Sequence, residues 1–280
     1  MIRNDEIKSY VTPLSPQPTG LSPAGQIAGP IECILFDIYG TLFISAAGDI
    51  SMARQTSPQI SMLERLIAKF ELNVAPQILI EKLHQAIEAH HYQLMQSGID
   101  IPEVEIDIIW QDILACNDIE QARNFAIEYE LIANPVYPMP NLAKLLAACR
   151  QQKCHMGLIS NAQFFTPLLF EWFLGADVST LGFSPELTIL SYQKGYAKPS
   201  PILFETAASA IAAKGIASSA TLVVGNDMLN DIYPAKQMGF QTALFAGDAR
   251  SLRLRKDDPR CRDLSANMVL TDLVQLIAFL

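Results

Sequence analysis

Asp37, Thr41, Ser160, Asn161, Lys198, Asn226, Asp227 and Asp231 are the residues of this chain whose types and settings suit work on a small charged molecule. Asp37 closes the apolar run Glu32-Cys33-Ile34-Leu35-Phe36 and opens Asp37-Ile38-Tyr39-Gly40-Thr41-Leu42-Phe43. Ser160-Asn161 closes a second apolar run, and Asn226-Asp227-Met228-Leu229-Asn230-Asp231 follows a third. Lys198 stands before Pro199, at a helix start between the last two. Open parallel sheets bind ligands outside the carboxyl ends of their strands. Three carboxylates, two hydroxyls, two amides and an ammonium are therefore expected to meet in one crevice. Taken singly, each residue also has a plain structural reading. An Asp after a strand is often a turn or cap, Ser-Asn is a common turn pair, and Asn230 or Asp231 could cap the helix that follows. The ordered combination is what points to a site.

The elements that must position these residues are legible in the hydrophobic pattern. Short apolar runs read as buried strands at Glu32–Phe36, His155–Ile159, Thr221–Gly225 and Thr242–Ala246, with weaker candidates at Leu187–Leu190 and Met268–Leu270. Helical patterns separate them at roughly Asn141–Gln152, Phe164–Gly175, Pro199–Lys214 and Leu229–Met238. Strands alternating with helices predict an α/β fold, a doubly wound parallel sheet covered on both faces. Residues 50–133 differ: apolar residues recur at helical spacing, Pro76 suits a helix start, and a further helix carries Trp110. An all-helical insert is expected there, dividing the α/β core into 31–49 and 134–280. Residues 1–30 hold five prolines and read as an extended arm or a disordered tail, with Tyr10, Val11 and Leu14 as possible anchors.

Composition bounds the function. The chain has 280 residues, 50% of them hydrophobic, enough for a sizeable core and too apolar for disorder throughout. Twenty basic residues against 29 acidic ones give a net charge of −9, which argues against general nucleic-acid binding. The one basic run, Arg250 to Lys256, is followed by Asp257 and Asp258 and reads as a solvated loop or helix end. No stretch is long enough for a membrane span, and Met1 to Lys8 has no apolar core after it, so no signal peptide is expected. Five cysteines in no metal-binding spacing suit free thiols in a reducing cytoplasm. His90-His91-Tyr92 reads as a solvated or core-edge pair, with a pocket-lining role as the sharper alternative, and Trp110 and Trp172 read as packing residues.

The ordered motifs resemble those of the haloacid dehalogenase superfamily of hydrolases. Asp37-Ile38-Tyr39-Gly40-Thr41-Leu42 matches the first motif, Ser160-Asn161 the second, Lys198 in Gly195-Tyr196-Ala197-Lys198-Pro199 the third, and Gly225-Asn226-Asp227 with Asp231 the fourth. The helical insert falls where that superfamily often carries a cap. The resemblance implies that Asp37 is the nucleophile of a covalent aspartyl intermediate. It implies that Thr41, Ser160 and Lys198 hold the anionic group, with Gly40, Asn161 and loop amides adding to the cradle. It implies a magnesium ion between Asp37, the Tyr39 carbonyl, Asp227 and Asp231.

Two departures from the family pattern divide the functional reading. Tyr39 stands where the family's phosphatases usually place a second Asp, which protonates the leaving alcohol. A Tyr, with an ordinary pKa of about 10, is a poor base near neutrality. Tyr39 resembles the L-2-haloacid dehalogenase branch, where a halide leaves without a proton. Yet the insert's Arg54, Arg65 and Arg123 lie in no Trp-Arg segment of the kind that grips halide and carboxylate there. The second departure is the order Asn226-Asp227 where Gly-Asp is commoner, and the extra carboxylate argues for a cation. Magnesium-dependent hydrolysis of a small phosphorylated metabolite therefore ranks first and dehalogenation of a small halo acid second. Binding of a phosphorylated ligand or partner without turnover ranks third.

Overall fold

The computed structural model describes residue 7, residues 9–47 and residues 60–280. The opening of the expected cap (residues 50–59, with Arg54) and Met1 to Lys8, apart from Ile7, lie outside the described residues.

Nine strands and nine α-helices are described, numbered here in chain order. The central sheet has the order β1-β9-β8-β7-β2-β5-β6. Its middle strand, β2 (Cys33–Phe36), runs parallel to β5 (His155–Ser160) on one side and to β7 (Thr221–Gly225) on the other. Then β8 (Gln241–Phe245) and β9 (Met268–Leu270) extend the sheet beyond β7, and β6 (Phe183–Leu190) lies beyond β5. Every pair is parallel except β1 (Ala24–Gly25) on β9. β2, β7 and β8 are buried along their whole length, as strands covered on both faces must be. One face packs α5 (Leu142–Gln151) and α6 (Leu168–Leu174) against Ile34 and Phe36. After the one-turn α7 (Ser191–Lys194), α8 (Pro201–Ala213) and α9 (Tyr233–Gln237) pack on the other face against Cys33 and Leu35.

The helical insert has a core of its own. It comprises α1 (Ile60–Lys69), α2 (Pro76–Gln96), α3 (Ile106–Leu114) and α4 (Ile119–Ala133). Trp110 is buried there with its ring 4.7 Å from Phe125 and 4.8 Å from Tyr129, so its packing role is as expected.

The pattern of apolar runs leaves out a small antiparallel ribbon, β3 (Phe43–Ser45) with β4 (Val136–Pro138). Three-residue strands carry too little alternation to stand out. They matter because the chain enters and leaves the helical layer through them. Asn134 ties the junction: its Oδ1 accepts from Ser45 Oγ at 2.8 Å and Ala47 N at 3.1 Å, while its Nδ2 donates to Glu130 at 3.0 Å.

The described part of the Pro-rich segment is an arm. Tyr10 donates to Glu128 on α4 at 2.6 Å, Ser15 and Gln17 carbonyls accept from Arg250 and Ala249, and β1 adds the sheet's edge strand. An edge is the one place in a sheet that tolerates such proline content. The expected helix Leu229–Met238 begins instead as a π turn, Met228–Ile232, before α9.

Candidate active site

β2 delivers Asp37 to the strand-end crevice, where its backbone N–H is held by Val224 O at 2.9 Å. The loop behind it is closed on itself. The amides of Gly40, Thr41, Leu42 and Phe43 all donate to carbonyls within the loop, which leaves Ile38 and Tyr39 as the loop amides for the expected cradle. Gly40 has a φ of +82°, and a Cβ there would run into the side chains of Ser251 and Asn226. Its role is close backbone approach rather than ligand contact.

Three expected residues converge on one carboxylate. Asp37 Oδ1 accepts from Ser160 Oγ at 2.9 Å and from Lys198 Nζ at 2.7 Å. Thr41 Oγ1 lies 3.4 Å from Asp37 Oδ2 and 3.2 Å from Asn226 Oδ1. Lys198 Nζ also donates to Asp231 Oδ1 at 2.6 Å and to the Ile159 carbonyl at 3.2 Å. Asp37, Thr41, Ser160, Lys198 and Asp231 are all buried. Burial by itself would lower the Lys198 pKa, but the Asp231 and Asp37 carboxylates outweigh it and hold the ammonium charged. Burial pushes the Asp231 carboxyl upward, against the pull of Lys198. One ammonium is shared between two buried carboxylates.

Asn161 acts on the lysine. Its Oδ1 accepts from the Lys198 backbone N–H at 2.7 Å, and its Nδ2 reaches the Lys198 carbonyl at 3.4 Å. This clamp fixes the loop that carries the ammonium. Tyr39 does not reach toward Asp37: its hydroxyl is 3.0 Å from Thr166 Oγ1, and burial raises its pKa, with Glu130 adding to the effect.

The fourth motif gives Asp227 partners of its own at the crevice. Asp227 Oδ1 caps the π turn through the N–H groups of Leu229 (2.8 Å) and Asn230 (3.2 Å). Both of its carboxylate oxygens take Arg255, with Nη2 at 2.6 Å and Nε at 3.1 Å. Asp227 thus serves as an ion-pair partner and cap while lining the crevice beside Asp231, whose oxygens are held by Lys198 and the Asp227 N–H. Asn226 faces the nucleophile loop in its place, with Nδ2 donating to the Ser251 carbonyl at 2.5 Å. Asp231 Oδ2 accepts the Asp227 N–H at 3.0 Å, and a Cβ on Gly225 would collide with the Asp231 carboxyl.

The basic run 250–256 is also corrected. It folds onto the site rather than into solvent. Ser251 is buried, Arg253 lines the crevice, and Arg255 pairs with Asp227. The signal was in the alternation Arg253-Leu254-Arg255. Leu252 and Leu254 pack on Met228, Ile232 and Leu244, so the residues between them turn toward the crevice.

The donor set bears on magnesium. Asp37 Oδ2 and Asn226 Oδ1 both flank the Thr41 hydroxyl, and Asp231 is linked to Asp37 through Lys198. These are hard oxygens of the kind magnesium takes, with one or two carboxylates as it prefers. The expected ligands Asp37, Tyr39, Asp227 and Asp231 all line the crevice, with the Asn226 side-chain oxygen as a further donor there. Among the described residues no group of three His, Cys, Asp or Glu is arranged to hold a metal ion, at the crevice or elsewhere.

A second cavity, of about 370 Å³, adjoins the crevice under the helical layer. Asn161 lines both. Leu83, Ile87, Trp110, Tyr129 and Phe165 give it apolar walls, and His84, His91, Glu103 and Glu130 give it polar ones. His91 thus reaches a cavity, whereas Tyr92 is exposed. The segment Ile99–Val104 packs against the loop bearing Lys198: Ala197 N donates to Ile101 O, and Glu103 N donates to Gly195 O. Burial pushes the carboxyls of Glu103 and Glu130 up to about 7.

Comparison with known proteins agrees with this arrangement. The pattern of the haloacid dehalogenase-like hydrolases matches residues 31–239. No curated protein gives a significant match. Among solved structures, a HAD phosphatase from Thermococcus onnurineus is 14% identical, with a TM-score of 0.51 over 88% of this chain and 96% of that one. A 2-haloacid dehalogenase from Pseudomonas syringae is 18% identical, with a TM-score of 0.52 over 89% and 97%. The HAD hydrolase YfnB from Bacillus subtilis, bound to magnesium, is 14% identical, with a TM-score of 0.50 over 89% and 98%. At such identities these three speak for the fold alone. The family pattern runs through most of the chain, and the strand-end aspartate with its shared lysine sits within it: the chain belongs to the haloacid dehalogenase-like hydrolases.

Proposed function

We propose that this protein hydrolyses phosphate monoesters through a covalent aspartyl intermediate. The observation that carries the reading is the buried ammonium of Lys198, 2.7 Å from Asp37, in a crevice that Arg253 also lines. An anionic nucleophile meeting an anionic phosphoryl group is repelled unless fixed positive charge offsets both. Asp37 attacks phosphorus, forming one P–O bond as the bond to the alcohol breaks. Water then attacks the same phosphorus, releasing phosphate and restoring the carboxylate. Ser160 and Lys198 turn their donors from Asp37 Oδ1 to the transferred oxygens, and Arg253 supplies the second cation. Magnesium, held by Asp37, Asn226 and Asp231, would neutralise further charge on the transferred group. Tyr39 offers no proton, since its hydroxyl is tied to Thr166 with a raised pKa. Leaving groups that need little protonation are therefore favoured.

The substrate in this reading is small and anionic at its reacting end. No helix among the described residues is long and apolar enough to cross a membrane. The five cysteines are free, which supports a reducing cytoplasm, and the charge of −9 gives no support to nucleic-acid binding.

The test is hydrolysis of para-nitrophenyl phosphate with magnesium and with chelator, beside Asp37→Asn. Metal-dependent turnover that vanishes in the variant is the expected result, and absence of turnover in the wild type would sink the reading. Dehalogenation is the second reading, and the Tyr39–Thr166 contact favours it, because a halide needs no proton. Against it stands the 370 Å³ cavity, far larger than a three-carbon halo acid requires. Halide release from chloropropionate is its assay.

A further inference from the structure

The cavity beside the crevice has an unusual balance of charge for an enzyme of anionic substrates. Among the described residues its wall includes neither lysine nor arginine, while two carboxyl groups, Glu103 and Glu130, stand on it. The cap's arginine Arg123 is engaged elsewhere, with Asp107 and Glu120. The two carboxyls are not equivalent. Glu103 is satisfied by three donors: Ser191 Oγ at 2.7 Å, Val104 N at 3.0 Å and Gln163 Nε2 at 3.2 Å. Glu130 has one donor among the described residues, Asn134 Nδ2 on Oε1, which leaves Oε2 for the cavity. Trp110, Tyr129 and Phe165 supply flat apolar surface around these groups. Asn161 lines both spaces, so this cavity adjoins the place where a phosphate would meet Asp37.

We infer that the leaving group is an apolar, aromatic-sized alcohol carrying an amine, with its ammonium on Glu130 and its hydrocarbon body among Trp110, Tyr129 and Phe165. The inference rests on the phosphatase reading for the position of the phosphate. The physical grounds are those of any desolvated pocket. A carboxylate on an apolar wall is costly unless an opposite charge meets it, and an ammonium on the ligand supplies that charge at the moment of binding. A second anionic group on the ligand would face Glu103 and Glu130, with no lysine or arginine among the described lining residues and only the imidazoles of His84 and His91 beside them. This disfavours acid-bearing leaving groups. Aromatic rings also attract a cation that lies over their faces.

Binding of the alcohol products tests the inference without any turnover, so failure of the phosphatase reading and failure of this one are told apart. Calorimetry of the full chain at pH about 8 would compare tyramine, para-ethylphenol and para-hydroxyphenylpropionate, which share a ring and differ in tail charge. Tyramine is expected to bind about tenfold tighter than para-ethylphenol, the worth of one ion pair of modest strength, with the carboxylate weakest. In Glu130→Gln the tyramine advantage should vanish while para-ethylphenol binding stays. Ile87→Lys, which puts an ammonium on the same wall, should reverse the ranking toward the carboxylate. Equal binding of the three ligands by the wild type, or a preference for the carboxylate, overturns the inference even if neither variant folds. So does a tyramine advantage that survives in Glu130→Gln.

Discussion

The strand-end crevice and the cavity beneath the helices handle buried charge in opposite ways. In the crevice each carboxylate meets a cation of the protein: Asp37 and Asp231 share Lys198, and Asp227 has Arg255. In the cavity Glu103 and Glu130 pair with no lysine or arginine among the described residues, and burial pushes both up to about 7. The crevice is built at the ends of three parallel strands, where the sheet fixes every Cα. The cavity is built on helices with their own core, tied to the sheet by a three-residue ribbon. A site that carries its own counter-charges is organised before the substrate arrives. A site that lacks them is completed by the substrate, and so selects for its charge.

The largest effect should come from taking the shared cation out of the crevice. Lys198→Met leaves two buried carboxylates uncompensated. Turnover should fall on the order of 10³-fold or more, and stability by about 3–5 kcal/mol, read by assay and by denaturant unfolding. A stable, active Lys198→Met would show that the two regions do not differ as described. Arg255→Ala is next. It strips Asp227 of a bidentate partner that is one-third exposed, so the loss should be about 1–3 kcal/mol. Asp227→Asn in the same chain should recover part of it, and a double-mutant cycle with no coupling would refute the pairing.

The cavity gives the pH dependence. Glu103 and Glu130 have folded pKa values of about 7, above the ordinary carboxylate value of 4.5. A raised pKa contributes stability that is fully present below the unfolded value and lost as pH rises through the folded one. The unliganded protein should therefore lose stability between pH about 5 and about 8 through these groups. Glu130→Gln should be more stable than wild type by about 1–2 kcal/mol at pH about 8 and no different at pH about 5. Melting temperatures at the two pH values decide it, and a gain of the same size at both would remove Glu130 as the cause. The smallest effect is expected for Tyr39→Phe. Its hydroxyl serves Thr166 rather than the reacting centre, so kcat should change by less than about threefold. A loss of a hundredfold would restore Tyr39 as the proton donor.

Where the sequence reads well, each residue's place follows from one local element. Asp37, Ser160 and Asn226 follow apolar runs that are strands in the structure, and parallel neighbours align the ends of those strands. Lys198 lies between two such elements and reaches Asp37 as its place in the order of motifs implies. Gly40 and Asp227 have partners that the sequence does not show. A loop amide or a carboxylate looks available until its neighbours are known, and here Phe43 O and Arg255 already hold them. Arg253 and Arg255 were read as solvated because charge density along the chain hides a period-two alternation with Leu252 and Leu254.

The amino-acid order by itself determined the alternating strands and helices, the helical insert and the sequence of reactive residues, because hydrophobic periodicity and motif order are properties of neighbours along the chain. Which polar groups satisfy one another was decided only by the tertiary structure. Hydrogen bonds and ion pairs act over about 3 Å, and the groups that met at the site come from segments as far apart as Asp37 and Lys198, or Asp227 and Arg255. The same holds for Glu130. Nothing beside it in the sequence marks it as a cavity residue, and its raised pKa is a property of the enclosure that the fold builds around it.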